Sequence, residues 1–222
     1  MSKLTVDNIR KANDLLLDKF GAPGKSPREG GTTGHLIAGL MSQNTTDINR
    51  DRAYASLREH FANWSDVAAA PLDKIAAAIQ PAGMMNQRAP RIKALLDAIH
   101  ERAENYSADF LLEIPHEDAF EWLVQRDGIG EKTAAVFLLF QNDAPYFPVD
   151  THIKRVLPRL GWFPVKTPAQ KIQPRMTEIC PPALMHDFHM NIIRLGKTTC
   201  KPRNPKCPVC VLAKMCAFAK TL

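Results

Sequence analysis

The sequence predicts an all-α fold. Three observations carry that expectation. Apolar residues recur at three- and four-residue spacing in one segment after another, strict apolar/polar alternation is scarce, and Gly and Pro fall between the periodic stretches. The first stretch, "TVDNIRKANDLLLDKF", puts Ile9, Ala12, Leu16 and Phe20 on one face, with Gly21 as its stop. "GAPGKSPREGG" reads as a link, and the short apolar "TGHLIAGLM" as a buried helix. Asp47 stands at the N-cap or in the first turn of a helix running to about Phe61, and Pro71 takes the favoured opening place of the next. "RIKALLDAIHERAE" spaces Ile92, Leu95, Leu96 and Ile99 along a helix, and Pro115 precedes another near 117–125. Lys132 to Phe140, the run after Asp150, and stretches near 168–179 and 184–195 complete the set. Pro145 and Pro148, inside "QNDAPYFPVD", mark a boundary between helical units.

At 222 residues and 45% hydrophobic content the chain can build one large domain or two small ones. No stretch approaches the roughly 18 apolar residues of a membrane helix. The charged N-terminus lacks the apolar core of a secretory signal, so a cytoplasmic protein with no membrane partner is expected. The net charge of +6 is unevenly spread: residues 1–150 carry 16 Lys+Arg against 21 Asp+Glu, residues 151–222 carry 13 against 2. An excess of that size in the last third is self-repelling without a counter-charge and points to a polyanion, nucleic acid before others.

"QRDGIGEKTAAVF" reads as helix, tight turn, helix. Gly128 and Gly130 allow a turn whose N–H groups point outward. With the following helix start they make an anion site suited to a backbone phosphate, and Ile129 lies between them. An ordinary helix connection has the same spacing. Lys132 adds chemistry. A helix N-terminus opposes protonation of its amine, and partial burial against the apolar helix would act the same way, towards a nucleophile. Eighteen residues on, Asp150 sits between an extended Pro-Val segment and a new helix. It could be simply an N-cap, and a carboxylate so placed could also stabilise an oxocarbenium-like transition state.

The cysteines cluster. Cys200, Cys207, Cys210 and Cys216 follow C-x6-C-x2-C-x5-C, a set able to hold zinc or an iron–sulfur cube, while Cys180 stands apart as a core thiol.

"GIGEKTA" followed by "FPVDTHIKRV" and the cysteine cluster resembles the endonuclease III type of helix-hairpin-helix DNA glycosylase, from about residue 30 to the last cysteine. The resemblance implies a six-helix domain, 34–143, ending in the hairpin. It also implies a discontinuous cluster domain, 1–33 with 144–222, and a DNA-binding cleft between the two. It implies a [4Fe–4S] cluster on the four clustered cysteines, with Lys201, Arg203 and Lys206 meeting phosphate. It implies a monomeric bifunctional glycosylase/AP lyase acting on double-stranded DNA at a damaged base, oxidised pyrimidines first, or at an abasic site. Lys132 would be the nucleophile and Asp150 the stabilising carboxylate. "LMSQNTTD" resembles the gap-filling loop, with Asn44 at the filling position and Gln43 beside it. "AGMMNQRAP" resembles a second wedge loop, with Met84 as the intercalating residue. Asp127 stands where that family often has proline, and Glu131 where a basic residue is common; both add negative charge beside the hairpin. His152 is expected as a neighbour of Asp150, and His35 and His189 as packing residues. Segments including "SQNTTD" and "IIRLGKTTC" also resemble the plant 5-methylcytosine glycosylases, while adenine-specific mismatch glycosylases lack the hairpin lysine. A non-catalytic DNA-binding module would need the hairpin and basic tail, but not the Lys132/Asp150 pair.

Overall fold

A computed structural model describes residues 3–24 and 29–221; residues 25–28, in the middle of the Gly/Pro-rich link, lie outside that set. Among the described residues the regular structure is helical throughout, in twelve α-helices with short 3-10 turns. No described helix is long and apolar enough to cross a membrane. α1 (Val6–Phe20) opens the chain. Next come α2 (Gly31–Met41), α3 (Asp47–His60), α4 (Trp64–Ala69), α5 (Leu72–Ala78) and α6 (Met85–His100). α7 (Phe110–Glu113), α8 (His116–Val124), α9 (Glu131–Asn142), α10 (Thr151–Leu160), α11 (Ala169–Ile179) and α12 (Pro182–Thr198) follow. The chain divides into two compact units, Ser26–Asn142 and Met1–Lys25 with Asp143–Leu222.

In the unit Ser26–Asn142, α2 packs against α3, α6 and α9. It is apolar nearly all round and buries Leu36, Ile37, Leu40 and Met41, as a central helix must. Thr46, not Asp47, caps α3: its hydroxyl accepts from the Asn49 N–H at 3.2 Å. Asp47 takes the first turn, where a carboxylate complements the helix dipole, and pairs with Arg50 at 3.0 Å. α6 runs through Pro90 and begins at Met85, upstream of the periodic apolar stretch. α4 and α7 have six and four residues, too few to show a helical period in the sequence.

In the second unit α12 packs against both α1 and α10. Ile9, Ala12 and Leu16 are fully buried, Phe20 is half-buried at the helix end, and Asn13 joins the buried face. The last carbonyls of α1 find partners on α12: Asn191 donates to Gly21 O at 3.1 Å and Arg194 to Phe20 O at 3.2 Å. Phe188 anchors the core, with ring centroids 5.9 Å from Phe147 and 6.0 Å from Trp162. The chain ends in 3-10 turns at Cys207–Val209, Ala213–Met215 and Phe218–Thr221.

Candidate functional site

The hairpin forms where the sequence places it. α8 ends at Val124, α9 starts at Glu131, and the turn between them needs a left-handed residue, which Gly128 supplies at φ +83. A Cβ there would sit 2.9 Å from both Arg91 Cδ and Leu40 Cδ2, so the turn is also closed to side chains by packing. Two bonds define the turn: Ile129 N–H donates to Arg126 O at 3.0 Å, and Ala134 N–H to Gly130 O at 3.0 Å. The N–H groups of Gly128 and Gly130 donate to no described residue. They border an open depression of about 460 Å³ lined also by Gln43, Arg91 and Asp127. Ile129, grouped with the two glycines as an expected DNA contact, turns its side chain inward. It is 2% exposed and its N–H is engaged, because the turn needs an apolar anchor. The carboxylate of Asp127 is answered by Arg91 Nε at 3.0 Å.

Lys132 is the second residue of α9 and is exposed, as is Glu131 beside it. The expected partial burial is therefore corrected: the buried face of α9 begins with Thr133, Ala134 and Ala135, and Lys132 lies off it. Its place in the first turn sets the amine in the field of the helix N-terminus.

Asp150 is the N-cap of α10, extended at φ −91 and ψ −174, with Oδ1 accepting from the Ile153 N–H at 2.8 Å. The cap engages one oxygen of a half-buried carboxylate. The segment leading to it is pinned from α11 and α12. Phe147 N–H donates to Thr177 Oγ1 at 2.9 Å, and His189 Nδ1 lies 3.1 Å from Pro148 O. His189, 2% exposed and edge-on to Phe147 at 5.8 Å, thus does more than pack: it fixes the backbone two residues before Asp150. His152 is corrected in the other direction. Its Nδ1 meets Arg155 at 3.1 Å, and that guanidinium also donates to Gly196 O and Cys200 O, each at 2.9 Å. Lys132 belongs to the unit Ser26–Asn142 and Asp150 to the other.

The two loops expected to enter the duplex share a backbone feature. Asn44 is exposed at φ +51, and Met84 is 40% exposed at φ +49, both left-handed non-glycine residues. Gln43 stands beside Asn44, and its side-chain amide donates to Gly128 O in the hairpin. Arg88, which the sequence did not single out, is 2% exposed and donates to the carbonyls of Ala82, Gly83 and Gln43. Burial, then the neighbouring Arg91, lowers its guanidinium pKa from the ordinary value. A buried arginine reads from sequence as a surface charge, so only packing could reveal it.

The four clustered thiols lie near enough to influence one another's ionisation. Burial, then Cys200 and Cys216, raises the Cys207 thiol; burial leads again at Cys210, with Cys200, Cys216 and Cys207 adding to it. Among the described residues no three His, Cys, Asp or Glu groups are set around a single ion. Arg159 reaches this loop, donating to Cys200 Sγ at 3.4 Å, Lys201 O at 2.7 Å and Pro202 O at 3.0 Å. Lys201, Arg203 and Lys206 are all exposed on it. Cys180 is 2% exposed, a core thiol as read, and burial pushes its pKa to about 12.

Comparison with known proteins fits this geometry. The model of the HhH-GPD superfamily base excision DNA repair protein matches residues 37–182. Endonuclease III of Thermotoga maritima is 31% identical over 183 residues, 82% of this chain and 81% of that one. The DNA glycosylase/AP lyase ROS1 of Arabidopsis thaliana is 27% identical over 171 residues, 69% of this chain but 12% of that one. The structure of a trapped endonuclease III–DNA covalent intermediate superposes with a TM-score of 0.82 at 26% identity, covering 98% of both chains.

Proposed function

Since this chain belongs to the HhH-GPD superfamily of base excision DNA repair proteins and is a DNA glycosylase, we propose that it is bifunctional, excising oxidised pyrimidines and nicking the abasic strand. One observation carries this reading. Lys132 stands exposed in the first turn of the helix that the Gly-Ile-Gly turn opens, where an amine can reach a sugar held by that turn. The relative trapped covalently on DNA has the same fold over nearly the whole chain.

The mechanism follows from the groups. The Gly128 and Gly130 amides hold a backbone phosphate of the lesion strand, and Arg91 lends charge beside them. The target nucleotide leaves the stack. Lys132 Nζ, as the neutral amine, attacks the anomeric carbon while the glycosidic bond breaks. The Asp150 carboxylate stabilises the positive charge that develops on the sugar. The base departs with its electron pair and takes up a proton. The amine loses its protons as the ring opens to a Schiff base. Loss of a C2′ proton then expels the 3′ phosphate by β-elimination, and water releases the enzyme. Cys200, Cys207, Cys210 and Cys216 would hold a [4Fe–4S] cluster whose contribution is structural, fixing the loop that offers Lys201, Arg203 and Lys206 to phosphate.

Borohydride trapping on abasic duplex DNA tests the proposal. The native protein yields a covalent adduct and Lys132→Ala yields none. An undiminished adduct in the variant, or none with the native protein, overturns the lyase. A panel of duplexes carrying thymine glycol, 5-methylcytosine or a mismatch decides the base. The similarity to ROS1 makes 5-methylcytosine the second arm.

A further inference from the structure

Arg88 sits among carbonyls, not carboxylates. Its Nη1 donates to Ala82 O and to Gly83 O, the latter at 2.7 Å, and its Nη2 donates to Gln43 O. Two of these acceptors are the carbonyls directly before Met84 and Asn44. Each belongs to the peptide plane whose orientation sets the φ of the following residue. Both of those residues are left-handed, at φ +49 and +51. A non-glycine residue in the left-handed region persists where its surroundings hold it there. Arg88 is that surrounding group for both. Gln43 extends the chain of contacts, since the residue whose carbonyl Arg88 holds sends its own side-chain amide to Gly128 O. A buried guanidinium without a carboxylate partner is costly, which makes a purely stabilising role a poor account of it.

We propose that Arg88, with Gln43, is a positioning device: it locks the Asn44 and Met84 loops into one rigid reach, in register with the phosphate-binding hairpin, so that strand entry follows phosphate docking. This rests on the DNA glycosylase reading but not on lyase chemistry. Arg88 touches no base or sugar and acts through the backbone of the residues that do.

The test is base unstacking without chemistry. 2-Aminopurine is placed opposite a tetrahydrofuran abasic analogue, and its fluorescence is followed to saturating protein. The native protein raises the signal. Arg88→Met fills the same volume without donors, and its plateau should fall about two-fold or more while the binding midpoint moves by a smaller factor. Arg88→Lys, a charged group with three donors, should recover part of the plateau. A native plateau in Arg88→Met, plateau and affinity falling in proportion, or no signal from the native protein would each overturn the proposal. Gln43→Leu cuts only the tie to the hairpin and should lower the plateau in the same sense. It decides alone if circular dichroism shows that Arg88→Met does not fold, and a native plateau there overturns the coupling. Borohydride trapping on the same preparations reads Lys132 separately, so the two proposals fail independently.

Discussion

Asp150 carries two roles that one substitution separates. Its Oδ1 caps α10 through the Ile153 N–H at 2.8 Å, so Asp150→Ala removes both the cap and the charge, whereas Asp150→Asn keeps an oxygen acceptor and removes only the charge. Losing an N-cap costs about 1 kcal/mol. For a chain of this length that is a Tm shift of about 2–4 °C, and the loss of charge at the helix N-terminus in Asp150→Asn accounts for only a fraction of it. The effect on rate runs the other way. If the carboxylate faces a developing sugar cation, removing its charge should cost about 10²–10³ in single-turnover base release, or about 3–4 kcal/mol of barrier. Thermal melts and single-turnover excision on a thymine glycol duplex, run side by side, give the two readings. The expected pattern is a near-native Tm with a collapsed rate in Asp150→Asn, and both losses in Asp150→Ala. A rate in Asp150→Asn within about three-fold of native would refute the reasoning, because electrostatic stabilisation cannot survive neutralisation of its source.

Further outcomes follow from the geometry. Gly128→Ala forces a Cβ into Arg91 and Leu40 at φ +83, so it should lower stability by about 1–3 kcal/mol in urea melts and weaken binding to undamaged duplex. Replacing Lys201, Arg203 and Lys206 with Ala should flatten the log–log salt dependence of DNA binding by about 0.9 per lost phosphate contact; an unchanged slope would place that loop off the DNA. Cys180 should resist alkylation at pH 8 in the native protein and react once the chain is unfolded. Its thiol pKa is raised to about 12, so its contribution to stability is whole below the unfolded value near 9 and is lost as pH rises towards 12. A denaturation series between pH 8 and 11 would show the decline.

Much of this architecture was legible along the chain. Ile9, Ala12 and Leu16 fall at helical spacing and are fully buried, and Gly21, Pro71 and Pro115 all mark helix ends. The Gly-Ile-Gly turn was legible because left-handed backbone in a short connection selects glycine. Less legible were features whose cause lies far away in sequence. Ile129 looked like part of an exposed turn, but its side chain is buried. Lys132 looked half-buried because its neighbours are apolar, but a helix has faces and its side chain leaves from the open one. His189 joins a backbone carbonyl 41 residues away, and Arg88 one 45 residues away. No local spacing rule reaches that far.

By itself the sequence determined the helical class, the hairpin and the kinds of chemistry available: one amine at a helix start, one carboxylate at another, four thiols and a basic tail. These are local properties, set by backbone preference and by what each side chain can donate, accept or ionise. Only the tertiary structure decided which groups those residues serve. It gave Gln43 to the hairpin carbonyl, His152 to Arg155, and Arg88 to the two loops that bear Asn44 and Met84. The physical reason is that a buried polar group must find a partner wherever packing supplies one, and packing joins residues that the chain keeps apart.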